Sequence, residues 1–139
     1  MVKTEEIFEE AESKGVEIFY GDFPAAQSVS VRNAVGVDYG LMHTRKEKVA
    51  VAYGLGSNIT GGFYTGNADA LTIRRADYKT RKWTYNRLLP IEELKEAIRN
   101  GYTEPWELAE QFAVPEEYMD EALKYYTEHG YFLTDADAC

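Results

Sequence analysis

The chain has 139 residues and a formal net charge of -9, enough length for one domain that buries about two-thirds of its extended surface without staples. Its one cysteine, Cys139, excludes an internal disulfide framework and any CxxC metal site. The charge is acidic, basic and acidic by thirds: residues 1–40 carry 3 basic and 8 acidic groups, 41–90 carry 9 and 3, and 91–139 carry 3 and 13. A nucleic-acid binder normally combines a basic face with a basic total, so direct nucleic-acid binding is not expected. Solvated helix surface is the ordinary reading of such charge, and an acidic face that docks a basic protein is the functional one. The charged start, MVKTEEIFEEAESKG, lacks the apolar core of a signal peptide, and no apolar run approaches a membrane span. A soluble, cytoplasmic protein is expected.

In chain order, 4–14 reads as an amphipathic helix with Thr4 as N-cap, Ile7, Phe8 and Ala11 on one face, and Gly15 as its end. Val16, Ile18 and Tyr20 alternate with Glu17 and Phe19 in a strand stopped by Gly21, Asp22 and Pro24. Two more strands follow at 28–31 and 34–39, with Arg32 and Asn33 as the turn. The stretch 47–57, EKVAVAYGLGS, is apolar on nearly every side, as a helix covered by other elements would be. Thr44 and Glu47 fit a capping box ahead of it. Gly54 and Gly56 each cost about 1 kcal/mol relative to alanine in a helix interior, so something other than helix propensity fixes them.

An irregular stretch is expected from Asn58 through Gly66 to Asp69. Its glycines lack the spacing and the lysine of a phosphate-cradling loop. Residues 76–89 are again helical, with Thr80, Trp83, Thr84 and Leu88 on one side. Pro90, Pro105 and Pro115 open three further helices, at 91–99, 106–113 and 116–129. The last two have helix-turn-helix spacing. However, Glu116, Glu117, Asp120, Glu121 and Glu128 would repel the second of them from a DNA groove, so these residues are candidates for contact with a protein partner. The fold class is α+β: a single domain, 1–139, with a small N-terminal sheet on a central buried helix and a helical C-terminal half.

The run Ala52-Tyr53-Gly54-Leu55-Gly56-Ser57 resembles the zinc-binding helix of the ImmA/IrrE family of metallo-endopeptidases, whose members read A-H-E-L-G-H. Ala52, Leu55 and Gly56 match. Tyr53 and Ser57 stand where the resemblance implies zinc-binding histidines, and Gly54 stands at the glutamate that activates water. Asp77, ahead of Leu88-Leu89-Pro90, occupies the position of the family's third ligand. The resemblance covers about 4–130, including a closing helical pair at 104–129. It implies a scaffold without its metal, its cofactor or its general base.

Tyr53, Ser57 and Asp77 would converge under that frame, because positions i and i+4 share a helix face. No histidine or lysine is placed to activate the serine, so a hydrogen-bonded cluster in place of the metal is expected. His43 and His129 lie outside the motif and read as ordinary surface histidines. Arg74, Arg75, Lys79, Arg81, Lys82 and Arg87 read as a charged helix face, with phosphate or RNA contact as the alternative. Cys139 has no neighbour in sequence that would lower its pKa, and the tail TDADAC reads as frayed. Tyr118, Tyr125 and Tyr126 could form either an exposed dimer patch or core.

The expected function is protein binding by an inactive metallopeptidase-like scaffold. The resemblance implies a DNA-binding partner from a phage or mobile element. A phage-type inhibitor of a host defence nuclease, like an anti-CRISPR, is the first alternative. An active metallopeptidase with a rebuilt site is the second.

Overall fold

The computed structural model describes residues 1–23, 28–63 and 67–131. Three expectations fall outside them: Pro24 as a strand stop, Gly66 within the irregular stretch, and the tail with Cys139. The chain is α+β and divides into two compact units, Val2–Thr84, and Tyr85–Cys139 joined by Met1.

The first unit begins with α1 (Thr4–Ser13), which turns Ile7 and Ala11 inward and ends before Gly15 at φ +72°. Its N-cap is Lys3 rather than the expected Thr4: the Lys3 N–H donates to Glu6 Oε2 at 3.0 Å, so a carboxylate in the first turn holds the entry. Three strands follow, β1 (Glu17–Gly21), β2 (Ser28–Val31) and β3 (Ala34–Asp38). Their order is β1-β3-β2, with β1 parallel and β2 antiparallel to β3. Asn33 takes a left-handed φ of +66° to close the β2–β3 turn, a conformation that asparagine tolerates better than most residues.

A 3₁₀ turn, Tyr39–Leu41, leads into α2 (Arg45–Thr60). Val35 and Val37 from the sheet and Val51, Ala52 and Leu55 from α2 are fully buried, so this helix is the inner layer on which the sheet rests. The expected capping box does not form. The Thr44 hydroxyl donates instead to Leu41 C=O at 2.6 Å, and the Glu47 carboxylate accepts the Tyr20 hydroxyl at 2.7 Å. α2 ends at Gly61, whose φ of +69° makes it a left-handed cap.

α3 (Ala70–Leu88) begins six residues earlier than the sequence pattern predicts. Asp69 Oδ1 accepts the Thr72 N–H at 2.8 Å and so caps the helix start; that bond holds the Asp69 carboxyl below its ordinary range. The β-branched Thr72 and Ile73 concealed this first turn from a propensity reading. The boundary between the two units falls inside α3.

In the second unit, α4 (Ile91–Arg99), α5 (Pro105–Phe112) and α6 (Glu116–Glu128) follow the proline signals closely. α5 and α6 pack on each other, with Leu108, Phe112, Met119 and Ala122 of the two helices and Val114 between them all buried. Tyr118, Tyr125 and Tyr126 are core rather than an exposed patch: Tyr125 and Tyr126 meet edge-on at 5.3 Å, and the Tyr126 hydroxyl donates to Leu89 C=O at 2.8 Å. Among the described residues, no helix is long and apolar enough to cross a membrane.

Candidate functional site

Two neighbouring turns of α2 and α3 build the site in the first unit. Tyr53 and Ser57, one helical turn apart, both face α3. The Tyr53 hydroxyl donates to Asp77 Oδ1. Asp77 also pairs through Oδ2 with Arg81 Nε at 2.9 Å, one turn further along α3. Ser57 Oγ donates to Tyr53 C=O at 3.2 Å and lies 3.4 Å from Thr80 Oγ1, and Thr80 in turn donates to Ala76 C=O at 3.1 Å. Tyr53 therefore meets Asp77, while Ser57 lies against Thr80 rather than against the carboxylate. The carboxylate has two partners, and the serine is held by helix carbonyl and hydroxyl oxygens rather than by a base.

Gly54 points elsewhere. A Cβ at Gly54 would lie 2.4 Å from Val35 Cγ1, and one at Gly56 would lie 2.7 Å from Trp83 Cε3. The first glycine brings α2 against β3, and the second brings it against α3. Close packing is thus the reason for both glycines that helix propensity left open. A glutamate at 54 would drive its side chain into the sheet, so this backbone has no place for the general base that the resemblance puts there.

The resemblance also implies a zinc ion, and the side chains present do not fit one. A catalytic zinc takes three protein ligands from histidine, cysteine or carboxylate. Here the three positions offer a phenol, a serine hydroxyl and a carboxylate committed to Tyr53 and Arg81. Among the described residues no three His, Cys, Asp or Glu side chains gather as a metal site.

What the arrangement does offer is a cavity of about 300 Å³ lined by Ser28, Val29 and Ser30 of β2, by Tyr53 and Ser57, and by Gly62 and Phe63 after α2. Its wall includes an edge strand. Glu17 N–H bonds Asn33 C=O at 2.9 Å, which turns Val35 and Val37 of β3 toward β1 and leaves Ala34 and Gly36 to bond β2. In that register Val29 and Val31 are tied to β3, while the backbone groups of Ser28 and Ser30 face outward. Ser30 Oγ donates to Gly54 C=O at 3.2 Å, and Asn58 bridges Asn33 N–H and Val31 C=O, so the strand is pinned to α2. The Arg32 guanidinium stands 5.8 Å from the Phe63 ring centre at the same end of the sheet.

The other candidates do not line this cavity. Glu116, Glu117, Asp120, Glu121 and Glu128 are exposed on α6 in the second unit, with Glu128 beside Lys124 at 3.9 Å. His43 is exposed with φ +63°, and His129 caps the end of α6, its Nδ1 2.8 Å from Tyr125 C=O. Sequence reasoning missed the Tyr20–Glu47 pair and Lys48. Lys48 is only 3 % exposed and donates from Nζ to Val2 C=O at 2.9 Å. Burial, with Arg45 nearby, pulls its ammonium down to about 8 against the opposing pull of Glu6. The available signal was adjacent charged residues, Glu47 and Lys48, entering an otherwise apolar helix.

Comparison of the chain with protein-family models, with curated proteins and with solved structures finds no match.

Proposed function

We propose that this chain is a catalytically inactive, metallopeptidase-like protein that works by binding another protein through the groove between β2 and α2. The observation that carries the reading is the Tyr53–Asp77 contact beside Gly54. A phenol satisfies the one carboxylate of the ImmA/IrrE-like frame, and the general-base position is flush against Val35. A groove with outward-facing strand groups and hydroxyls from Ser28, Ser30 and Tyr53 suits an extended peptide segment, which an edge strand takes up by backbone pairing. The proposed partner is a basic, DNA-binding protein of a phage or mobile element, held and blocked rather than cut. The family resemblance suggests that class of partner, and the chain's net charge of -9 suits it.

A second reading rests on a different surface. The exposed acidic face of α6 could dock the basic cleft of a defence nuclease, which would make the chain an inhibitor of that nuclease.

Affinity capture from host cells carrying phage or mobile-element genes, with mass spectrometry of the captured proteins and their termini, tests both. One intact, basic DNA-binding partner at near-equal stoichiometry is the expected result. Its loss on Ser30→Pro but not on Glu116→Lys/Glu117→Lys would place it on the groove; the reverse would favour α6. Captured fragments sharing a new terminus, or tight stoichiometric zinc in the purified protein, would overturn the inactive reading.

A further inference from the structure

The sheet has a second open edge, and its chemistry differs from the first. In the parallel β1–β3 register, the Glu17 N–H that bonds Asn33 C=O fixes the alternation: Glu17, Phe19 and Gly21 turn their backbone groups toward β3, and Ile18 and Tyr20 turn theirs outward. Among the described residues these outward N–H and C=O groups have no backbone partner. Five consecutive residues, Glu17–Gly21, contain none of the lysine or proline that commonly blunts an exposed edge.

Alongside this edge runs an open groove of about 360 Å³ between α1 and β1. Phe8, Val16 and Ile18 give it an apolar floor, and Glu12 and Glu17 line it with carboxylates. The acidity continues along α1, which carries Glu5, Glu6, Glu9, Glu10 and Glu12 and no lysine or arginine.

We infer that the β1 edge is a docking site for an extended segment of a partner protein that carries an apolar anchor flanked by lysine or arginine. Backbone pairing to Ile18 and Tyr20 fixes the segment as a fourth strand. Alternate side chains of an added strand point to one face, so one apolar residue drops between Phe8 and Ile18 while its neighbours bring positive charge to Glu12 and Glu17. Charge decides the occupant. A second copy would bring its own carboxylate-rich α1 and another -9 to this edge, whereas a basic strand neutralises Glu12 and Glu17. Because β1 and β2 are opposite edges of the sheet, this site stands whether or not the β2 groove binds anything.

The test uses the full ¹⁵N-labelled chain, titrated with a capped pentapeptide Lys-Val-Ile-Val-Lys and with its Glu-flanked counterpart. Binding of the lysine peptide should shift the amide signals of Ile18 and Tyr20 and slow their hydrogen exchange. It should weaken steeply with added salt, and by about tenfold in Glu12→Lys/Glu17→Lys, two exposed charge reversals that leave the core intact. Ile18→Pro removes an outward N–H without touching the β1–β3 ladder and should abolish the shifts at Tyr20. If that variant does not fold, the charge-reversed one decides alone. Equal binding of both peptides, shifts confined to Ser28 and Ser30, or β1 shifts that follow protein concentration instead of peptide would each overturn the proposal.

Discussion

The two units solve the same packing problem in opposite ways. In Val2–Thr84 the layers meet where side chains are missing: Gly54 lets α2 lie against Val35, and Gly56 lets it lie against Trp83. In Tyr85–Cys139 they meet through rings: Tyr85 sits 5.5 Å from Tyr118 and 5.3 Å from Tyr125, and Tyr126 sits 5.2 Å from Tyr131. Close approach leaves α2 no slack, whereas ring contacts tolerate small rotations. The groove that carries the proposed function lies on the unit without slack, which suits a surface whose shape must be held before a partner arrives.

The sharpest way to break this contrast is Gly54→Ala. On helix propensity alone the change would stabilise α2 by about 1 kcal/mol. With a Cβ 2.4 Å from Val35, overpacking instead should destabilise the first unit by about 3 kcal/mol, read from the denaturant midpoint. A gain in stability would mean that α2 and β3 are not in close contact. Pairing the change with Val35→Ala should recover part of the loss, since it removes the clashing methyls.

Lys48 probes the same helix through pH. Its folded pKa, about 8, lies below the ordinary 10.5, so between those values the unfolded chain binds the proton more tightly than the folded one. Stability should therefore rise with pH through this window, by about 2 kcal/mol from pH 7 to 10. Above pH 10 the sign turns. Burial and Glu47 raise the Tyr20 phenol, and burial with Tyr125 and Tyr131 raises Tyr126, so the unfolded chain ionises first and stability falls. Lys48→Met should flatten the rise without lowering stability at pH 7; a rise that persists in that variant would assign it to another group.

The second unit has its own test in Tyr126→Phe. That residue is fully buried, and its hydroxyl bonds Leu89 C=O, so removing the oxygen leaves a buried acceptor with one partner fewer. A loss of about 1.5 kcal/mol is expected, with the ring contacts kept.

How far the sequence foretold all this depended on whether the signal was local. Prolines 90, 105 and 115 start helices for reasons contained in their own rings, and α4 to α6 were legible from them. The strands were legible too, because Val16, Ile18 and Tyr20 alternate and Asn33 suits a left-handed turn. The glycines of α2 gave only half their meaning. Their cost in a helix announced a reason, but Val35 and Trp83, the neighbours that supply it, lie 19 and 27 positions away. Glu47 was misread for the same cause: its spacing from Thr44 is that of a capping box, while its partner, Tyr20, comes from β1. Of the site, the Tyr53–Asp77 contact was legible from helix spacing and the resemblance, whereas the placement of Ser57 against Thr80 was not. The β2 wall of the groove was not, since no periodicity reveals which strand becomes an edge.

Tyr53→Phe should have the smallest effect on stability, and it separates the two roles of the site. The phenol is part-buried, and Asp77 keeps its exposed ion pair with Arg81, so the loss should be about 0.5–1 kcal/mol, close to that of a surface contact. If the Tyr53–Asp77 contact shapes the groove as well as bracing it, the amide signals of Ser28, Ser30 and Phe63 should move in this variant while those of Ile18 and Tyr20 stay in place. Asp77→Asn should then leave those signals in place, because an amide oxygen still accepts from the phenol although it no longer pairs with Arg81. Shifts in Asp77→Asn without shifts in Tyr53→Phe would assign the shaping to Arg81 instead, and the phenol would be a filler of space left between α2 and α3.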